Sequence, residues 1–142
     1  MADKINIALD IGTTTIACAA VDPATGIILS EHSAENPQKM WGMDLITRLN
    51  ALIEDPSLLK EFSRATIDVC NKLIEEVSSG REAGEIAVAG NTVMEHIFLG
   101  ISPQGMAKVP YKPAFKEAKR LKAKDVGLKA GPDALLYVFP II

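Results

Sequence analysis

The sequence predicts an α/β domain: a mixed sheet of about five strands that begins with an antiparallel meander and carries helices packed on it. Three observations support this class. Residues 4–33 hold three strand-like runs with no helix between them, residues 85–99 hold a strand, a turn and a short helix, and a strand pattern returns at residues 134–139. The resulting order, β-β-β-α-α-β-α-β, places a meander first and parallel strands later.

The first hairpin spans residues 4–21. Ile5, Ile7 and Leu9 alternate with smaller or polar residues, which is the period-two pattern of a strand with one buried face. Gly12 lies in the turn, and a second apolar run follows. Residues 22–26, Asp-Pro-Ala-Thr-Gly, have the composition of a turn, and residues 27–33 form the predicted third strand.

Two helices are predicted next. Residues 44–54 carry apolar side chains at helical spacing, and Asp44 lies near the positive end of that helix. A longer helix starts at Pro56-Ser57 and runs to Ser79, where Gly80 ends it. Its predicted buried face consists of Leu58, Leu59, Phe62, Ala65, Val69, Leu73, Ile74 and Val77.

The second half of the chain adds strands to the meander. Residues 85–89 form a predicted buried strand, the turn Gly90-Asn91-Thr92 follows at its carboxyl end, and residues 93–99 form a short helix. Residues 114–124 are ambiguous between helix and strand, and residues 134–139 form the last strand. The carboxyl ends of strands in such sheets commonly bind ligands, which draws attention to Asn91 and Thr92.

Composition excludes several classes of function. The chain has 142 residues, 48% hydrophobic content, a net charge of −3 and a pI near 5.4, which argues against a nucleic-acid or acidic-membrane surface. It shows neither a long apolar span nor a signal peptide. Cys18 and Cys70 lack neighbouring metal-ligand partners, so we expect buried thiols in a reducing, cytoplasmic compartment. A basic run is interpreted as a solvated face; its members are Lys116, Lys119, Arg120, Lys122 and Lys124.

The chain ends on an apolar run, residues 135–142. Domains usually finish in polar segments, so we expect residues 1–142 to form a single subdomain of a longer protein. Ile141 and Ile142 make self-association plausible for such a piece. Trp41 follows the loop Asn36-Pro37-Gln38, whose role stays open; packing against the next helix is favoured for Trp41 over contact with a partner.

The turn between the first two strands carries the clearest chemical signal. Asp10 ends the first strand, and Gly12, Thr13, Thr14 and Thr15 follow it with hydroxyls and backbone N–H donors. Backbone donors of this kind form an anion nest for the terminal phosphates of a nucleotide, and an adjacent carboxylate can hold a hydrated metal ion.

Asn91 and Thr92 are candidates for contacts with the same phosphates. Their alternative role is to cap the following helix, because Asn and Thr are favourable N-cap residues. Glu95 and His96, one turn later, have no second pair of ligands nearby and do not predict a metal site.

Several segments, taken in order, resemble reductive activators of corrinoid proteins. They are ALDIGTTT at residues 8–15, ENPQ at 35–38, GMDLITR at 42–48, AGNTVMEH at 89–96, FLG at 98–100, PYKPAF at 110–115 and YVFP at 137–140. The phosphate-loop segment is also similar to that of sugar kinases, actin and heat-shock chaperones. The resemblance implies a ribonuclease-H-like subdomain, the first half of an actin-like ATPase domain.

For function, the resemblance implies ATP-driven reduction of an inactive cob(II)amide to cobalt(I). Asp10 would lie near Mg²⁺ through water, and Gly12, Thr13 and Thr14 would face the phosphates. The partner would be a corrinoid protein, either a methyltransferase subunit or a corrinoid iron–sulfur protein. The family's [2Fe-2S] domain and its later adenosine-binding segments are expected only in the rest of the protein, so this piece alone would be inactive.

Two other classes stay open. A small-molecule kinase of the same fold group would need a carboxylate base beside the substrate hydroxyl, and none is evident after the Gly90-Asn91-Thr92 turn. A non-enzymatic, actin-like interaction module would use the turn only to stabilise the fold.

Overall fold

Most of the helices and strands follow the apolar patterns of the chain. A computed structural model of the protein describes residues 4–141, so the expectation on Ile142 lies outside the described residues. The strands are β1 Ile5–Ile11, β2 Thr15–Val21, β3 Ile28–Glu35, β4 Ala83–Gly90, β5 Lys119–Lys122 and β6 Leu135–Val138. The α-helices are α1 Leu45–Glu54, α2 Leu58–Ser78 and α3 Thr92–Leu99. Short 3-10 turns occupy Pro37–Trp41, Gln104–Met106 and Ala123–Val126.

The six strands form one mixed sheet in the order β3-β2-β1-β4-β6-β5. β1, β2 and β3 are an antiparallel meander; β4 pairs parallel with β1, and β6 pairs parallel with β4. This confirms the α/β, ribonuclease-H-like class and its N-terminal meander. The predicted count of about five strands was one too low.

The extra strand resolves the ambiguous residues 114–124. Lys119–Lys122 forms β5, antiparallel to β6 at the sheet edge, and a 3-10 turn follows. Three of its four residues are basic, so the segment lacks the apolar alternation that marks a half-buried strand. The Arg120 guanidinium lies 5.0 Å from the ring centre of Tyr137 on β6. That contact stabilises an edge strand whose own pattern is weak.

The core lies between the helices and one face of the sheet. Ile5, Ile7, Leu9 and Ile11 alternate along β1 at 3% exposure or less, and α2 packs against β2 and β3. The Trp41 ring stacks on Phe62 of α2 with centroids 4.2 Å apart. Trp41 therefore packs against a helix as predicted, but this stacking partner is on α2 and not on α1, the next helix along the chain. On the opposite face of β1, Ala8 and Asp10 are exposed.

The helices begin within two residues of their predicted starts, and the start of α1 shifts because its capping residue stays outside the helix. Asp44 precedes α1 and accepts the Thr47 N–H at 2.8 Å, a bond that lowers the pKa of its carboxyl. α2 begins at Leu58, and α3 begins at Thr92 with Asn91 as its cap. β3 extends to Glu35, beyond the predicted end at residue 33, because Glu35 pairs with Thr15.

Two buried polar side chains distinguish α3. His96 is fully buried; its Nδ1 lies 2.7 Å from the Thr92 carbonyl and its Nε2 lies 2.9 Å from the Ala114 N–H. A carbonyl only accepts and an N–H only donates, so these partners assign the neutral tautomer with hydrogen on Nδ1. Burial lowers the pKa of His96, and the ring also stacks on Phe115. His96 therefore ties the loop before β5 to α3.

Glu95 is the second of these side chains. It is 1% exposed, and its Oε1 has no hydrogen-bond partner among residues 4–141. Burial raises the pKa of its carboxyl to about 7. The native state therefore holds a proton on Glu95 at pH values where the unfolded chain has released it.

This burial predicts a pH-dependent stability. Because the native pKa is raised, the contribution of Glu95 is fully present below its ordinary pKa near 4.5 and is lost as the pH rises through about 7. Glu95→Gln removes the titrating group, so its free energy of unfolding relative to the unmodified protein should rise by about 1–2 kcal/mol between pH 5 and pH 8. Urea denaturation at both pH values measures the difference. Glu75→Gln, at an exposed site on α2, is the matched control, and an equal change in both variants would contradict the assignment.

The contact between β4 and β1 predicts a second effect. A Cβ on Gly90 would lie 2.9 Å from the Ile11 carbonyl oxygen, a backbone atom that cannot turn aside. We expect Gly90→Ala to lower the free energy of unfolding by about 1–3 kcal/mol, the usual cost of overpacking. Gly84→Ala in the same strand is the control, because its Cβ would meet the flexible Lys4 side chain at 3.4 Å and the Ile5 carbonyl oxygen at 3.9 Å, which are ordinary contact distances. Urea denaturation measures both variants. Equal destabilisation of the two would show that the contact with the Ile11 carbonyl oxygen does not cause the loss of stability.

Candidate functional site

The β1–β2 turn is closed by glycine. The Gly12 N–H donates to the Thr15 carbonyl at 3.0 Å. A Cβ on Gly12 would lie 2.5 Å from that same oxygen, so any side chain would force the turn open. The close backbone approach in this turn therefore requires a glycine at position 12.

The tip of the turn presents backbone donors. Within residues 4–141, the backbone N–H groups of Thr13 and Thr14 donate to no protein acceptor. Thr13 is half-buried and Thr14 is exposed. Successive free N–H groups in a turn form a concave, positive surface that suits an anion such as a phosphate.

Asn36 forms hydrogen bonds with two backbone carbonyls of this turn, a role that the sequence did not indicate. Its Nδ2 donates to the Gly12 carbonyl at 2.8 Å, and its backbone N–H donates to the Thr14 carbonyl at 2.8 Å. The one local signal was an Asn followed by Pro, which is typical of a turn. Nothing in that pattern indicates which distant backbone groups the asparagine binds.

Asp10 lies on the face of the sheet away from the helices. Its neighbours across the strands are Ala17 on β2 and Ala89 on β4. Both are too small to cover the carboxylate, and no Lys or Arg among the described residues pairs with it. Asp10 and Thr15 line a shallow concavity of about 760 Å³ on this face. An exposed carboxylate without a cation suits a hydrated divalent metal.

Asn91, between β4 and α3, contacts the β1–β2 turn. Its Oδ1 accepts the Met94 N–H at 3.0 Å, which caps α3, and its Nδ2 donates to the Thr13 hydroxyl at 3.1 Å. It therefore caps the helix and contacts the turn at once. Thr92 is placed differently: it borders a concavity together with Pro110, Lys112 and Lys116. Of the two predicted residues Asn91 and Thr92, only Asn91 contacts the β1–β2 turn in the part of the chain that the structure describes.

Other metal chemistry finds no support among the described residues. No group of three His, Cys, Asp or Glu side chains within residues 4–141 could hold an ion by itself. Burial raises the pKa of the Cys18 thiol to about 12 and raises that of Cys70 further, so neither supplies a thiolate near neutral pH. A metal here would need ligands from a bound nucleotide and water as well as Asp10.

None of the helices described is long and apolar enough to cross a membrane.

Similar proteins are known. The corrinoid activation enzyme RamQ from Eubacterium limosum is 28% identical over 141 residues, covering 96% of this chain and 24% of that protein. The solved structure of a reductive activator for corrinoid, iron-sulfur protein superposes with a TM-score of 0.92 at 31% identity, over 96% of this chain and 23% of that one. This chain thus spans about a quarter of the length of these relatives.

The same superposition agrees with the fold established from the sheet order. In addition, the family model described as the RACo middle region matches residues 5–142, nearly the whole chain. The chain therefore belongs to the RACo middle region family.

Proposed function

We propose that this chain contributes the first phosphate-binding loop of an ATP-dependent activator that drives reduction of a corrinoid protein. The observation that carries the proposal is the β1–β2 turn: two free backbone N–H groups, at Thr13 and Thr14, beside the exposed carboxylate of Asp10. Family membership supports the same conclusion, since both relatives described above are named as activators of corrinoid proteins.

The residues of the turn suit nucleotide phosphates. Thr13 and Thr14 would donate backbone N–H groups to the β- and γ-phosphate oxygens, and Gly12 lets the backbone approach closely. Asp10 would hold Mg²⁺ through water, while Thr15 lines the same concavity. Mg²⁺, when bound, neutralises phosphate charge. Asn91 orients the Thr13 hydroxyl, and Thr92 stays a proposed contact without a described link to the turn.

Binding at this turn can change the energy of the activator's complex with its partner. A nucleotide that contacts two parts of a protein shifts the equilibrium toward the arrangement in which both contacts are made. In this proposal residues 1–142 are one subdomain, and the adenosine-binding segments and the [2Fe-2S] electron donor belong to the rest of the protein. The two buried thiols of this chain agree with an electron donor outside it.

The proposed partner is a corrinoid protein, whose cob(II)amide form accepts one electron to become cobalt(I). A methyltransferase subunit and a corrinoid iron–sulfur protein are both compatible with the names of the relatives. A kinase is less well supported. Glu95, the carboxylate closest in sequence after the Gly90-Asn91-Thr92 turn, is 1% exposed, so it is not accessible as a base for a substrate hydroxyl.

The role of Asp10 is directly testable in the full-length protein. We expect Asp10→Asn to lower the rate of Mg-ATP-dependent cob(II)amide reduction about 10- to 100-fold, because the variant loses the charge that holds the metal's water. The absorbance change on conversion of cob(II)amide to cobalt(I) measures the rate. Raising the Mg²⁺ concentration should restore part of it.

Glu85→Gln is the matched control. Glu85 is an exposed carboxylate on the same sheet face, but it lies near the start of β4, far from the turn. The Glu85→Gln variant should reduce cob(II)amide at the rate of the unmodified protein. Asp10→Asn with an unchanged rate at every Mg²⁺ concentration would exclude the proposed metal role.

A further inference from the structure

We propose that Asn36 is a positioning residue for the phosphate loop: it fixes the direction of the Thr13 N–H, one of the two free backbone donors of the turn. This inference rests on the proposed function, because it concerns how the β1–β2 turn binds phosphate. Asn36 is fully buried and lies outside the turn, 24 residues along the chain from Gly12.

The geometry acts through two peptide planes. Asn36 binds the Gly12 carbonyl with its side chain and the Thr14 carbonyl with its backbone N–H, each at 2.8 Å. In a trans peptide the carbonyl and the following N–H point in opposite directions. Holding the Gly12 carbonyl toward Asn36 therefore turns the Thr13 N–H, a free donor of the turn, away from it. Holding the Thr14 carbonyl fixes the next peptide plane, at the end of the turn.

This orientation matters for an anion. A carbonyl oxygen carries partial negative charge, so a turn free to rotate its peptide planes would present repulsive oxygens as well as attractive N–H groups. A donor that binds the carbonyls from behind removes that alternative before the ligand arrives. Such preorganisation lowers the cost of binding without any contact to the ligand itself.

The Asn36 amide is itself held in one orientation. Its Oδ1 accepts the Gln38 N–H at 2.9 Å, which leaves the NH₂ group facing the Gly12 carbonyl, with the Met94 sulfur 3.5 Å away. Gln38 is anchored in turn, because its Nε2 donates to the Thr66 hydroxyl on α2 at 2.9 Å. The turn is thereby connected to the buried face of α2 through a chain of hydrogen bonds.

Asn36→Asp in the full-length protein tests the inference. The carboxylate keeps the acceptor for Gln38 but has no donor for the Gly12 carbonyl, which it repels. We expect the Kd for Mg-ATP, measured by calorimetry, to rise roughly tenfold, equivalent to about 1.4 kcal/mol. The Kd for adenosine should stay unchanged, because adenosine has no phosphate for the turn to bind.

The adenosine measurement separates positioning from general damage. A merely structural role for Asn36 would weaken both ligands together, or would lower thermal stability and leave both affinities intact; either result for a folded variant overturns the inference. Asn71→Asp is the matched control. Asn71 also binds a backbone carbonyl and a backbone N–H, which belong to Gly127 and Lys129 in a loop outside the β1–β2 turn. The Mg-ATP affinity of the Asn71→Asp variant should therefore stay unchanged.

Asn36→Ser covers the case in which a buried carboxylate at position 36 prevents folding. The shorter hydroxyl can still accept the Gln38 N–H but does not reach the Gly12 carbonyl, so the same selective loss of Mg-ATP affinity is expected. An unmodified protein that fails to bind Mg-ATP would refute the proposed function itself. An unmodified protein that binds it, together with folded Asn36 variants that bind it equally well, would refute only the positioning role.

Discussion

The placement of β1 between β2 and β4 is the constraint on which the rest of the structure depends. Its four buried isoleucine and leucine side chains fix which face meets the helices, and each contributes about 1.5–3 kcal/mol through burial. β1 runs antiparallel to β2 and parallel to β4. The turn after β1 and the turn after β4 therefore lie side by side at the carboxyl ends of these two strands, where the Asn91 side chain contacts Thr13. The candidate site exists because two strand ends meet there.

The site is supported by polar groups that the core must accommodate. Asn36 and Gln38 are fully buried beside the turn, and Arg48 is buried with its Nε donating to the Gly42 carbonyl at 2.7 Å. Buried polar groups stabilise a structure only when they are hydrogen-bonded, and Oε1 of Gln38 and Nη1 of Arg48 have no partner among residues 4–141. These unpaired atoms therefore lower the stability of the region beside the turn. The apolar packing of Trp41 on Phe62 lies in the same segment and offsets part of that cost.

The site is one-sided. The turn presents donors and Asp10 presents a carboxylate, and the concavity that Asp10 borders is open. Glu31 and His32 also line it, and no Lys or Arg among the described residues does. An open arrangement of this kind suits a protein in which another lobe completes the ligand's environment. Under the proposed function, closure of two lobes on one nucleotide would convert binding energy into the change of arrangement that drives the reduction.

The elements with strong local periodicity were predictable from the sequence alone: the alternating strands of the meander, the amphipathic helices and the glycine turn beside Asp10. Local spacing determines these features, because side chains two or three to four residues apart share a face in a strand or a helix. Strand β5, the burial of Glu95 and the part that Asn36 plays were decided only by tertiary structure. Their signals are contacts between distant residues: β5 depends on β6, and Asn36 binds Gly12 across 24 residues. A sequence specifies the donors available for such contacts, whereas the packing of the sheet and helices selects which of them meet.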